Sequence, residues 1–312
     1  MTRTKPILKW VGGKTQILDN VIPLFPKVMN NYHEPFVGGG SVLFALLEEV
    51  SNGHVQVKGK IYASDLNANL IGLYQTIQKY PEELVVELKK MVQEFNECQG
   101  TTVHRKPISI EEAKTSPESY FYWIRSKFNQ CTPSVDASVH TSVHTSVYAS
   151  AMMLFLNKTC FRGVYREGPH GFNVPFGNYK NPSIFEEEHV RKVSEILQNV
   201  IFTVGHFQET LNKITRDDFI YLDPPYAPET DKSFVSYTSS GFNLNNHQML
   251  FDLCQEMKKK KVKFVMSNAD VDLVKNAFPS SIYPTRIISC KRSIHSKNPS
   301  SRTNEVLITN FD

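Results

Sequence analysis

A chain of 312 residues that is 40% hydrophobic and 21% charged can bury a sizeable core, as one large domain or two smaller ones. It holds no run approaching the ~18 to 20 apolar residues of a membrane span, and its amino terminus lacks a signal peptide's apolar core, so an intracellular protein with no membrane partner is expected. Its five scattered cysteines form no C-x-x-C pair, indicating neither a disulfide framework nor a zinc site, and a net charge of +4 barely favours a polyanionic partner by itself.

Along the chain, residues 5–14 pass from an extended apolar stretch to Gly12-Gly13-Lys14, and residues 15–25 carry helical periodicity closed by Pro26. A glycine turn opening a helix offers N–H groups to an anion, and Lys14 there suits a carboxylate or phosphate. Residues 32–36 then read as a strand leading into Val37-Gly38-Gly39-Gly40-Ser41 and an apolar helix over 42–50. Strand, glycine turn and helix open a nucleotide-binding α/β unit, because glycine lets a ligand approach the backbone closely. The spacing is neither a Walker loop nor G-x-G-x-x-G, which argues against a nucleoside triphosphate or a dinucleotide. A second strand over 60–66 ends in Asp65 and Leu66, about 25 positions after the glycine turn, where a carboxylate is placed to bond ribose hydroxyls or to cap the following helix.

From residue 67 to 184 the pattern turns helical, with helices over 70–79, 81–95, 120–129 and 149–156, as expected of an inserted domain. Within it a Ser-Val repeat over 134–147 reads as a low-complexity expansion, its His140 and His144 facing solvent rather than a metal. Residues 157–180 read as a hairpin studded with aromatic and basic residues, among them Phe161, Arg162, Arg166 and Lys180, with Pro175 and Asn178 in its second arm. That mixture suits duplex recognition: arginines for phosphates or guanine edges, an aromatic to wedge into the stack. A helix over 182–198 follows, and then the α/β rhythm resumes with strands at 200–204, 218–222 and 262–266 and helices at 245–260 and 271–277. Strands near 282–289 and 305–310 suggest an antiparallel finish to a mainly parallel sheet. The lysine run 258–261 reads as a solvated helix end.

The 218–222 strand delivers Asp223-Pro224-Pro225-Tyr226 at its carboxyl end, where open α/β sheets place ligands. Two prolines stiffen the turn, so a rigid carboxylate lies beside an aromatic face, a pairing suited to a planar base with an exocyclic amine.

Lys9-Trp10-Val11-Gly12-Gly13-Lys14, Glu34-Pro35-Phe36-Val37-Gly38-Gly39-Gly40-Ser41, Ser64-Asp65-Leu66-Asn67, Phe172-Asn173-Val174-Pro175-Phe176-Gly177 and Asp223-Pro224-Pro225-Tyr226 together resemble, in order and over nearly the whole chain, the Dam-type (alpha-class) DNA adenine-N6 methyltransferases. The resemblance implies S-adenosylmethionine as cofactor, double-stranded DNA as partner, no metal, and an α/β fold: a doubly wound methyltransferase sheet with an inserted, mainly helical target-recognition domain. The catalytic domain would span 1–66 and 185–312 and the recognition domain 67–184. It assigns cofactor contacts to Trp10, Lys14, Phe36, Gly38, Gly40, Ser41, Asp65, Leu66, Phe207 and Asp223, and base contact or wedging to Lys9, Phe161, Arg166 and Pro175. Asp223, Pro224, Pro225 and Tyr226 would carry the catalysis on a flipped base, with the polar loop Ser236-Tyr237-Thr238 closing over it. The departures are Arg162, the loop Glu167-Gly168-Pro169-His170 and Asn178, all in the region that reads the target. GATC is the expected site, with CATG or another four-base palindrome open. A monomer suffices for a palindrome, and a cognate restriction endonuclease is a possible companion. The competing expectations are an RNA or small-molecule amine methyltransferase, and a DNA-binding regulator that merely senses the cofactor.

Overall fold

The computed structural model describes residues 3–131, 143–228, 242–291 and 302–312. Most of the Ser-Val repeat, His140, the side chain of His144, the Ser236-Tyr237-Thr238 loop and Gly241, and Arg292 and Lys297 lie outside the described residues. Two compact units divide the chain, one formed by Met1–Lys5, Gly12–Leu66 and Asn199–Asp312, the other by Pro6–Val11 and Asn67–Gln198.

The first unit is built on a seven-stranded sheet. Its strands in chain order are β1 (Tyr32–Glu34), β2 (Ile61–Asp65), β3 (Val200–Val204), β4 (Phe219–Leu222), β5 (Lys263–Ala269), β6 (Thr285–Lys291) and β7 (Arg302–Thr309). In space the order is β6-β7-β5-β4-β1-β2-β3. β3, β2, β1, β4 and β5 run parallel, while β7 runs antiparallel to both of its neighbours. Sheets of this kind are covered on both faces, which is why β4 reads as an uninterrupted apolar run: each of its residues is buried. Ile220, Leu222, Phe264, Met266, Val306 and Ile308 share one core cluster with Leu250 and Cys254 of the helix Leu244–Lys259. That helix ends in Lys258 and Lys259, cations complementing its C-terminus.

Several elements differ from expectation. The helix read over 15–25 is broken into a 3-10 turn Thr15–Ile17, a short α-helix Leu18–Val21 and a second 3-10 turn Ile22–Leu24. Pro23 within it has no N–H to continue an α-helical ladder. β5 runs past the expected 266 to Ala269, because Ser267, Asn268 and Ala269 pair with Leu307, Val306 and Glu305.

In the second unit the helix Val143–Thr159 packs against Ala68–Lys79, Pro81–Glu97 and Pro117–Cys131. Its apolar stretch 151–156 is buried, and Phe155 meets Phe95 edge-on at 5.3 Å. Glu187–Leu197 belongs to this unit and not to the sheet unit as expected: it buries Val190, Val193 and Leu197, the Leu197 carbonyl accepts from Gln78 Nε2 at 2.6 Å, and Arg191 pairs with Glu82. Residues 6–11 belong here too, since Asn157 bonds both the N–H and the carbonyl of Lys9, at 2.9 and 2.8 Å.

Candidate active site

In the first unit, β4 ends at Leu222 and hands the chain to Asp223, whose side chain is 18% exposed. The Asp223 Oδ1 meets Lys14 Nζ at 2.8 Å, and Lys14 itself is 4% exposed. Lys14 is held from behind, its N–H donating to Ser41 Oγ at 3.0 Å and its ammonium to the Gly12 carbonyl. The partner of Lys14 is thus the carboxylate of Asp223, and the turn that follows Lys14 is a three-residue 3-10 turn rather than the start of a long helix. Burial pushes the Asp223 carboxyl up to about 6, against the pull of Lys14 and with help from the negative charge of Glu305.

Pro224 is buried, Pro225 is exposed, and Tyr226 is half-buried. The Lys14 ammonium lies 4.8 Å from the Tyr226 ring centroid, and the Tyr226 hydroxyl donates to Glu305 Oε2 at 2.8 Å. The next residue is fixed as well, since the Ala227 N–H donates to Asn268 Oδ1 at 3.1 Å. Beneath the loop, Glu34 is buried and accepts from the Tyr32 hydroxyl at 2.6 Å; desolvation raises its carboxyl to about 8.

The glycine turn stands beside this loop in the same unit. Gly38 and Gly40 have φ of +46° and +72°, a region that penalises any Cβ, and Gly40 precedes the helix Ser41–Ser51. Gly38 N–H donates to Asp65 Oδ2 at 3.1 Å, so the end of β2 pins the turn. Asp65 is not the cap of the next helix; Asn67 is, accepting from the Leu70 N–H. Phe36, Phe207 and Phe242 form an aromatic trio with centroid separations of 5.4 to 5.8 Å, Phe207 being buried at the start of the helix Phe207–Leu211. Leu66 is 62% exposed.

Trp10 falls in the second unit, stacked on Tyr165 at 5.3 Å. Lys9 lies there also, its ammonium over Tyr179 at 5.4 Å. The region read as two extended arms is more irregular. Its ladder has two residue pairs, Glu167↔Phe172 and Gly168↔Gly171, with Pro169 and His170 as the turn, plus an isolated bridge between Cys160 and Phe176. The first arm begins as the end of a helix and passes through a 3-10 turn, Phe161–Gly163, in which Arg162 takes φ of +60° and donates its N–H to the Tyr179 hydroxyl at 2.7 Å. Phe161 is 50% exposed with the Arg162 guanidinium 5.2 Å from its ring, and its N–H donates to the Pro175 carbonyl. Arg166 Nε donates to Asn173 Oδ1 at 2.7 Å, while Asn178, at φ of +49°, and Lys180 are exposed. Among the described residues no cluster of His, Cys, Asp and Glu suits a metal ion. No helix among them is long and apolar enough to cross a membrane.

Glu305, Asn268 and Glu34 received no role from sequence reasoning. A signal existed for Glu305, an acidic residue opening the otherwise apolar run Val306-Leu307-Ile308.

The parallel sheet, the carboxylate loop at the end of β4 and the glycine turn after β1 define an α/β protein whose candidate site is built at the carboxyl ends of β4 and β1. The family profile of the D12 class N6 adenine-specific DNA methyltransferases matches residues 10–295, and the chain belongs to that family: it is an adenine-specific DNA methyltransferase. It is 34% identical to a Type II methyltransferase, M.MjaIII, of Methanocaldococcus jannaschii over 92% of this chain and 93% of that one. It is 29% identical to the Type II methyltransferase M1.LlaDCHI of Lactococcus lactis subsp. cremoris, covering 98% and 95% of the two chains. To the DNA adenine methylase of Haemophilus influenzae it is also 29% identical, covering 96% and 90%.

Proposed function

We propose that the chain transfers a methyl group from S-adenosylmethionine to adenine N6 in a short palindrome of duplex DNA, GATC or another four-base site such as CATG, acting on a base flipped out of the stack. The observation that carries this reading is the ion-paired, largely buried Asp223 carboxylate followed by Pro-Pro-Tyr at the carboxyl end of β4. The residues present fit the cofactor: Asp65 for ribose hydroxyls, the Phe36–Phe207 pair for an adenine ring, the positive-φ glycines for close backbone approach. Bound there, the cofactor supplies a sulfonium methyl as electrophile.

The chain's own residues then do the following. Adenine's amine is a poor nucleophile because its lone pair is delocalised into the ring. Asp223 and the Pro224 carbonyl accept its two N–H bonds, which makes the nitrogen more tetrahedral and frees the lone pair for in-line attack. The nitrogen gains a methyl and sheds one proton after transfer, so no strong base is needed; positioning and electrostatics carry the rate. Flipping is required because the amine is inaccessible inside a duplex, and Tyr226 supplies the ring on which the base stacks. Lys14 lies over one face of that ring. Lys9, Phe161, Arg162, Arg166, Pro175, Asn178 and Lys180 form the duplex-reading surface. A monomer serves a palindrome by acting on each strand in turn, and a restriction endonuclease of the same specificity is the expected companion if the chain works in a restriction–modification pair.

Incubation with labelled cofactor, DNA and RNA, followed by digestion with methylation-sensitive restriction enzymes and methylation-aware sequencing, tests the reading. Label in N6-methyladenine at one palindrome is expected. Label in RNA alone, in a free amine alone, or nowhere would replace it by an RNA enzyme, a small-molecule enzyme or a cofactor-sensing regulator.

Three substitutions test the binding residues. Asp65→Ala should weaken cofactor binding by roughly 1.5 to 3 kcal/mol, the range for a hydrogen bond to a charged group. Unchanged affinity in calorimetry would reduce Asp65 to a tether for Gly38. Arg166 is anchored through Nε, which leaves its terminal nitrogens for a guanine edge. Arg166→Ala should therefore relax specificity at one outer position by about 1 to 3 kcal/mol. Lys180→Ala, at an exposed phosphate contact, should weaken all sequences alike and flatten the salt dependence. Undiminished discrimination in the Arg166 variant would withdraw this residue as the base reader.

A further inference from the structure

We propose that Glu305 is a positioning residue for methyl transfer, holding the Tyr226 ring in place from β7; this rests on the reading of Asp223 to Tyr226 as the catalytic loop. The Tyr226 hydroxyl donates to Glu305 Oε2 at 2.8 Å, a bond to a carboxylate and so about twice as strong as a neutral one. Its acceptor stands on firm backbone. β7 is paired on both sides, Glu305 facing Ala269 of β5 and Ile288 of β6, so the strand has no free edge at that position.

The two ends of the loop are thus fixed by different means. At Asp223 the tie is an ion pair with Lys14; at Tyr226 and Ala227 it is a pair of hydrogen bonds to Glu305 and to Asn268, which is 0% exposed on β5. Between them the prolines remove backbone freedom. Tyr226 is the only member of the tetrapeptide whose side chain would still rotate, and the hydroxyl bond stops it with Lys14 against one face. A ring fixed in advance spends none of the base's stacking energy on its own ordering. Glu305 need not touch the substrate to matter; it acts through Tyr226. Its charge also lies close enough to help hold the Asp223 carboxyl above its usual range.

Steady-state kinetics on duplex DNA separate this from a merely structural role. Tyr226→Phe and Glu305→Ala should each lower kcat about tenfold while the calorimetric Kd for S-adenosylmethionine stays unchanged, because the lost interaction orders the base and not the cofactor. Glu305→Gln, which keeps an acceptor, should recover most of that loss. The double variant Glu305→Ala with Tyr226→Phe should be no slower than the slower single, since both remove one interaction. Losses that multiply, or a Glu305→Ala enzyme within twofold of wild type, would overturn the proposal. If Glu305→Ala melts early, Glu305→Gln and Tyr226→Phe carry the comparison. Tyr226→Ala distinguishes the levels: a slow Tyr226→Ala beside fast Tyr226→Phe and Glu305→Ala leaves the stacking role intact and removes Glu305 from it. A fast Tyr226→Ala removes the catalytic-loop reading and the proposal with it.

Discussion

Asp223→Ala should lower kcat on the order of 100-fold or more, the usual cost of losing contacts that strengthen in the transition state, while cofactor and DNA binding largely persist. The geometry adds a control. Truncation leaves the Lys14 ammonium, 4% exposed, without its 2.8 Å partner, so part of any loss could come from a displaced lysine. Asp223→Asn retains an acceptor near Lys14 but lacks the charge. The two variants should bracket the electrostatic share, with Asn the faster and both far below wild type. Single-turnover rates with labelled cofactor, beside anisotropy on fluorescent duplex, make the measurement. Turnover within tenfold of wild type for the Ala variant would remove Asp223 from the catalytic role.

Lys14→Met should act through acidity. The Asp223 carboxyl stands at about 6, raised by burial and held down by Lys14. Since the ionised carboxylate is the required acceptor, kcat/KM, which reports the free enzyme, should fall as pH drops through about 6 in the wild type. Without the ammonium the carboxyl rises further and the fall begins at higher pH. A displacement of one unit or more is expected, each unit being about 1.4 kcal/mol of lost charge stabilisation. The same raised value means that whatever stability the protonated Asp223 lends the fold is present below its unfolded value near 3.8 and lost as pH rises through about 6. Lys14→Arg keeps the charge and should leave the limb where it is. An acid limb unmoved in Lys14→Met would show that the ion pair does not set the carboxylate's charge.

The parts legible in the sequence were those with a local cause. Buried β4 showed as an unbroken apolar run, and the glycine turn showed because Gly38 and Gly40 adopt positive φ. Lys14 was legible as a cation in search of an anion, though its partner lies more than two hundred residues away. What stayed hidden depends on contacts that local pattern does not encode. Glu305 gains meaning only from Tyr226, 79 residues earlier, and Asn268 only from the neighbouring backbone of Ala227. The helix expected over 182–198 begins only at Glu187, and periodicity says which face is buried, never against what, so its packing within the second unit was not legible. The irregular arm at Phe161–Gly163 escaped because Arg162 takes a conformation that residue type rarely adopts, stabilised by the Tyr179 hydroxyl.

β2 and β3 pair in parallel from Ile61↔Val200 to Asp65↔Val204, yet the chain between them wanders through the whole 67–198 segment of the second unit before returning. A parallel crossover needs only about a dozen residues. Loop-closure entropy grows with the logarithm of length, so a connection some tenfold longer than that minimum costs the sheet only about 2 kcal/mol more, and less once the segment folds on itself. The catalytic sheet is thus nearly indifferent to what is spliced between these two strands. A chain built this way can change much of the spliced portion at little cost to the sheet, provided Asn157 keeps its hold on Lys9, whose stretch leads into Lys14, the partner of Asp223.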